Sequence, residues 1–125
     1  MSTENNTPVV DPEEMAAAEK AAETAEDLVH YTLKKPIEYA GKRYTEFTLD
    51  YDRIDGNECL QIEREVEMTT GKNVVVEALN SEYLIRFVAH ASVEPVGVDV
   101  IRALKSKDFM GLKGTARSFL LASGS

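Results

Sequence analysis

The sequence predicts a small α+β domain in which an N-terminal antiparallel β-hairpin packs with about three C-terminal helices. Three observations carry this expectation. Apolar residues alternate at period two on both sides of Gly41, they recur at helical spacing from Cys59 onward, and the strands precede the helices instead of interleaving with them. The chain has 125 residues and 13.8 kDa, 43% of them hydrophobic and 29% charged. A unit of ~100 to 150 residues closes around one core, so one domain plus an appendage is expected.

The appendage comes first. Residues 1–28 hold eight acids (Glu4, Asp11, Glu13, Glu14, Glu19, Glu23, Glu26, Asp27) and one base, Lys20, which gives −7 of the total net charge of −8. Residues 29–125 hold 13 bases and 14 acids, so the acidity belongs to the tail and not to the domain. Asp11-Pro12-Glu13-Glu14 offers an N-cap, a proline at the first helical position and a capping-box carboxylate, and residues 15–26 are nearly all Ala and Glu. The stripe Met15, Ala18, Ala22 and Ala25 buries little area, so the tail is expected to be largely disordered or transiently helical. It reads as a solubilising extension, with an acidic lure for a basic partner or a mask for basic surface as the sharper alternative.

The domain is expected over residues 29–122, with 123–125 as a flexible C-terminus. Tyr31, Leu33, Ile37 and Tyr39 form one strand, and Thr45, Phe47 and Leu49 the next, turned at Gly41. Pro36 cannot donate to a ladder, so its strand belongs at an edge or is interrupted there. From Asp52 the period changes: Cys59, Leu60, Ile62 and Val66 mark a first helix that stops at Thr69-Thr70-Gly71-Lys72-Asn73. Val74-Val75-Val76 is a connector or a short strand. Asn80 caps a second helix with the stripe Tyr83, Leu84, Phe87, Val88 and Ala91, ending before Pro95. Asp99 is expected to cap a short turn carrying Val100, Ile101 and Leu104. Ser106 is expected to cap a last helix through Leu121, with Phe109, Leu112, Ala116, Phe119 and Leu120 on one side.

Known chemistries find little to build on. Gly71-Lys72 fails as a phosphate loop, because Val66 stands where the first glycine belongs and Asn73 where the hydroxyl belongs. His30 and His90 are sixty positions apart and show no metal-ligand spacing; His90 reads as structural. Cys59 on a helical stripe reads as core. Asp50, Asp52, Asp55 and Glu58 do not follow the calcium-loop register. No catalytic residue, cofactor or metal is expected, and the protein is read as not an enzyme. A lone cysteine, an N-terminus without the regions of a secretory signal, and no apolar run near ~18 residues point to cytoplasm and away from membrane. The negative balance argues against nucleic acid. Residues 98–125 carry five bases against two acids, but a helix-turn-helix would place Phe109, Met110 and Gly111 where polar base readers belong.

The order of residues resembles a family. Tyr31-Thr32-Leu33-Lys34-Lys35-Pro36-Ile37, the Gly41 turn and Tyr44-Thr45-Glu46-Phe47-Thr48-Leu49 are similar to the opening of bacteriophage tail assembly chaperones of the tail protein E type, with their Thr-Leu-x-x-Pro strand, glycine turn and Thr-Leu strand. Tyr83-Leu84-Ile85-Arg86-Phe87, then Val98, Val100-Ile101 and Leu104, with Asp108, Leu112 and Ala116-Arg117-Ser118-Phe119-Leu120 beyond, continue the match over about residues 30–122. The segment 50–56 and the acidic tail lie outside the pattern. The resemblance implies a non-enzymatic factor in the host cytoplasm, absent from the finished virion, that coats the tape measure protein and helps recruit tail tube protein. A tape measure exposes apolar helical seams, and amphipathic helices can take them up; the last helix, at Leu112, Phe119, Leu120 and Leu121, is the expected contact. The reading leaves room for a homo-oligomer. The alternatives are a phage structural or regulatory adaptor and the helix-turn-helix DNA-binding protein.

Overall fold

A computed structural model describes residues 28–123, and the expectations for the acidic tail and for residues 124–125 lie outside them. Strand β1 (Val29–Tyr39) turns through Ala40 and Gly41 into β2 (Lys42–Leu49). Both turn residues have positive φ, 52° and 81°, the left-handed pair that matches the twist of a two-residue hairpin, and Gly41 adopts it without steric penalty. The register runs Val29↔Leu49 to Thr32↔Glu46, slips, and resumes at Ile37↔Tyr44. In the slip, residues 33–36 of β1 face Thr45 alone. Pro36 therefore sits in an interruption, as its missing N–H requires. Leu33, Ile37, Phe47 and Leu49 turn inward; Thr45 of the expected stripe is exposed.

After a 3-10 turn at Tyr51–Arg53, helix α1 spans Gly56–Thr70. Asp55 is its N-cap: its carboxylate accepts the Glu58 N–H at 2.9 Å. Gly71 closes the helix in the left-handed conformation. Ile62 and Val66 are buried, Cys59 is half-buried, and Leu60 is 52% exposed, so Leu60 leaves the stripe expected for it. Residues 74–76 form no strand. Helix α2 (Ser81–Ala91) starts at Asn80, whose side chain accepts the Tyr83 N–H at 2.9 Å. Helix α3 (Val98–Ala103) is capped by Gly97 and not by Asp99, which lies in its first turn. Helix α4 (Ser106–Ser123) begins at Ser106 itself and runs past Leu121.

The architecture is a two-stranded antiparallel sheet followed by helices, a small α+β fold. α2 is its centre, in contact with α1, α3, α4 and the turn at Tyr51. The chain leaving α2 returns to the hairpin: Asp50 N–H donates to Ala91 O, Val93 N–H donates to Thr48 O, both at 2.8 Å, and Leu49 bridges Ser92. This gives the end of β2 a partner on its outer edge.

Candidate partner-binding surface

Two polar devices hold the helices in place before any surface is offered. The first is Asp108, fully buried in the first turn of α4. Its Oδ1 accepts the Lys34 N–H at 2.9 Å and the Tyr31 hydroxyl at 3.2 Å, and its Oδ2 accepts the Lys35 N–H at 3.0 Å. Both amides lie within the register slip at residues 33–36, whose last position is Pro36, which has none. Burial works to raise the Asp108 pKa, but the two amides, the Tyr31 hydroxyl and the nearby Lys34 charge outweigh it and hold the carboxyl below the usual range. Gly111 completes the arrangement, since a Cβ there would stand 2.2 Å from the Tyr31 hydroxyl and 2.8 Å from its ring. A glycine in a helix interior, unfavourable by about 1 kcal/mol against alanine, is thereby explained: Tyr31 crosses α4 at that point to reach Asp108, one turn earlier.

The second device joins α1 to α2. The ring nitrogens of His90 face Glu58 at 2.7 Å and Glu65 at 3.2 Å. The buried Arg86 guanidinium donates to Glu82 Oε1 at 2.6 Å, to the Glu82 carbonyl at 2.9 Å and to Thr69 at 3.2 Å. Arg102 of α3 donates to the same Glu82 carboxylate, and its hydrogen bond is the main cause, with Arg86 beside it, of a Glu82 pKa below the ordinary value. Apart from the i,i+4 pair Glu82–Arg86 on α2, sequence spacing gave no sign of these groupings, because their other members come from different elements. Among the described residues, no cluster of three or more His, Cys, Asp or Glu could hold a metal ion, and no helix is long and apolar enough to cross a membrane.

What remains for a partner is the outside of α4. Leu112 has no accessible surface and belongs to the core, which corrects the expectation that it is a contact. Phe119 and Leu120 are half-buried, and Leu121 is 62% exposed. The Phe119 ring lies 5.3 Å from Tyr51 and 5.9 Å from Phe87, so one of its faces is committed to the interior. Its rim borders a groove of about 590 Å³ between the start of β1 and α4, lined by Val29, Tyr51, Gly111, Gly114, Ser118 and Phe119 among others. Burial raises the Tyr51 pKa to about 12, partly offset by its 2.7 Å bond to Thr115, which in turn donates to Leu112 O.

Gly111, Gly114 and Ser118 make one flank of α4 a lane without bulk. At Gly114 a Cβ would meet nothing within 4 Å, so the lane lies open. On the other flank, Lys113 donates to Ser81 and the Arg117 Nε to Ala78 O, both at 2.9 Å. Leu121, four residues after Arg117, lies on this same flank one turn further on, and in the segment 74–79 Val75 is 86% and Leu79 71% exposed. Val74-Val75-Val76 reads from sequence as a connector or a short strand and Leu79 carries no mark; three consecutive valines that serve neither a strand nor a helix stripe were the available signal. Comparisons with protein-family models, with curated proteins and with solved structures find no match.

Proposed function

We propose that the protein is a non-enzymatic phage tail assembly chaperone that binds the tape measure protein in the host cytoplasm, keeps it soluble, helps recruit tail tube protein, and is left out of the mature virion. The observation that carries this reading is the open groove along α4, with small residues on its wall and the Tyr51 and Phe119 rings at its base. A groove of this kind accepts the apolar face of a helix, because Gly114, which faces open space, lets a partner backbone come close while the rings supply apolar area. The exposed Leu79 and Leu121 extend apolar surface across the opposite flank. A second support is that residues carrying the resemblance, Tyr31, Lys34, Lys35 and Asp108, act together in the β1–α4 lock, which fixes the helix that forms the groove.

The test is co-expression with a phage tape measure protein. The expected outcome is a soluble tape measure that co-purifies with this chain, and loss of both on Gly114→Arg, a change that points into open space and leaves the thermal transition in place. A folded protein that never retains the tape measure refutes the proposal. Mass spectrometry of purified particles separates it from a virion component, since a chaperone is missing from them.

A further inference from the structure

Helix α1 meets α2 along one face, on which Glu58, Ile62, Glu65, Val66 and Thr69 recur at helical spacing. Ile62 and Val66 are the residues of α1 that are buried. The other contacts of this face are polar, and two cations of α2 one turn apart, Arg86 and His90, meet them. At the C-terminal end of α1, Arg86 donates to Thr69 Oγ1 at 3.2 Å, and its Nε lies 4.0 Å from Glu65. Toward the N-terminal end, His90 Nδ1 lies 2.7 Å from Glu58 Oε2, and its Nε2 lies 3.3 and 3.2 Å from the two carboxylate oxygens of Glu65. Gln61 donates to Glu65 at 3.3 Å, and Arg53, from the 3-10 turn before α1, donates to the His90 carbonyl at 2.7 Å. His90 also borders a cavity of about 360 Å³, in whose lining Arg53 is the other titratable residue. Its side chain keeps 18% of its surface, so solvent protons reach the ring.

A neutral imidazole carries one N–H. Whichever nitrogen holds it, the other points a lone pair at a carboxylate oxygen that has no proton to give. An imidazolium donates from both nitrogens and satisfies Glu58 and Glu65 together. Its charge lies in the last turn of α2, where the helix end favours a cation. Arginine keeps its charge at every physiological pH, whereas imidazole changes its charge between about pH 5 and 8. The two polar fastenings of α1 therefore differ in kind. We propose that His90 is a pH-operated clasp on the N-terminal half of α1: protonated, it holds Glu58 and Glu65 at once; neutral, it holds one of them, and that half of α1 loosens from α2 while Arg86 keeps the other end fixed. The contribution is present on the acid side of the histidine range, above the ordinary glutamate value of about 4.3, and is lost as the pH rises through that range. It is independent of the chaperone reading, since it involves α1 and α2 and not the groove along α4.

Backbone amide exchange of the full chain, with each rate divided by the intrinsic rate at the same pH, tests the proposal. From about pH 5.5 to about pH 8.5, on either side of the histidine range, protection of the amides of residues 60–63 should fall several-fold, while that of residues 67–70 and of α4 stays unchanged. His90→Gln, which never carries the charge, should show equal protection of residues 60–63 at both values. In Glu58→Gln the new amide donates to the lone pair of a neutral ring, so this variant should keep its protection at the alkaline value. The second variant decides the matter even where the first does not fold. Unchanged protection of residues 60–63 in the unaltered chain overturns the proposal, as does an equal fall in α4, which would show global loosening. A fall in either variant as large as in the unaltered chain overturns it too.

Discussion

Helices α2 and α4 lie side by side, yet eight of the eleven residues of α2 are buried, whereas among residues 106–122 of α4 only Asp108, Leu112 and Ala116 are. α2 is surrounded, and even its arginine is held inside by Glu82 and Thr69. α4 is fastened by one buried carboxylate at its start, by Leu112 and Ala116 along its inner face and by the partly buried Phe109, Phe119 and Leu120 packed against the core, and it leaves Gly114, Ser118 and Leu121 toward the outside. Stability and recognition are thus divided between neighbours. A helix enclosed on every side cannot offer a surface, and a helix anchored at few points can offer most of one. The division predicts that substitutions on α2 unfold the protein, while those on the outer side of α4 leave it folded and alter what it binds.

The largest effect is expected at Phe87, whose ring stacks on Tyr51 at 5.2 Å and lies 5.9 Å from both Tyr83 and Phe119. Phe87→Ala should destabilise by about 4 kcal/mol in urea unfolding. A loss below about 1 kcal/mol would mean that α2 is not the centre of the fold.

Next comes the anchor of α4. Asp108→Asn sets an amide N–H₂ against a backbone N–H donor and should cost about 2 to 3 kcal/mol. The carboxyl pKa is depressed in the fold, so the unfolded chain binds the extra proton first as acid is added. The stabilisation from Asp108 is therefore full above the ordinary aspartate pKa of about 3.9, and it is lost as pH falls from there through the lower folded value. The variant should lack that part of the acid dependence; equal acid sensitivity in both proteins would remove the lock from the explanation.

Smaller still is a contrast between two glycines of the same helix. Gly111→Ala should destabilise by about 1 kcal/mol, because displacing Tyr31 outweighs the gain in helix propensity. Gly114→Ala meets open space and should stabilise by up to about 1 kcal/mol. Shifts of the same sign would show that close approach of Tyr31 does not decide the first position. Last, Leu121→Ser should change the unfolding midpoint by less than about 0.5 kcal/mol equivalent, yet lower co-purification with the tape measure protein.

Much of the fold was legible locally. The hairpin follows from period-two alternation around Gly41, and α2 from Asn80 and the stripe Tyr83 to Ala91, since both signals lie within a dozen residues of each other. α1 was legible except at its start, where Asp52 and Asp55 are equally good caps by type and only the 3-10 turn at Tyr51–Arg53 selects the second. The surface was read less well. Leu112 and Leu121 look alike in sequence, and which one is core depends on the roll of α4 about its axis.

The sequence by itself determined the order of elements, the interruption of β1 at Pro36, the stop at Gly71 and the separation of an acidic tail from a near-neutral domain, because each rests on residue type and spacing along the chain. Tertiary structure alone decided that Asp108 replaces the missing ladder acceptors of Lys34 and Lys35, that Gly111 makes room for Tyr31, and that α4 keeps an open flank. Those relations join residues more than seventy positions apart, and no local propensity or period can encode a contact that exists only when the last helix closes onto the first strand.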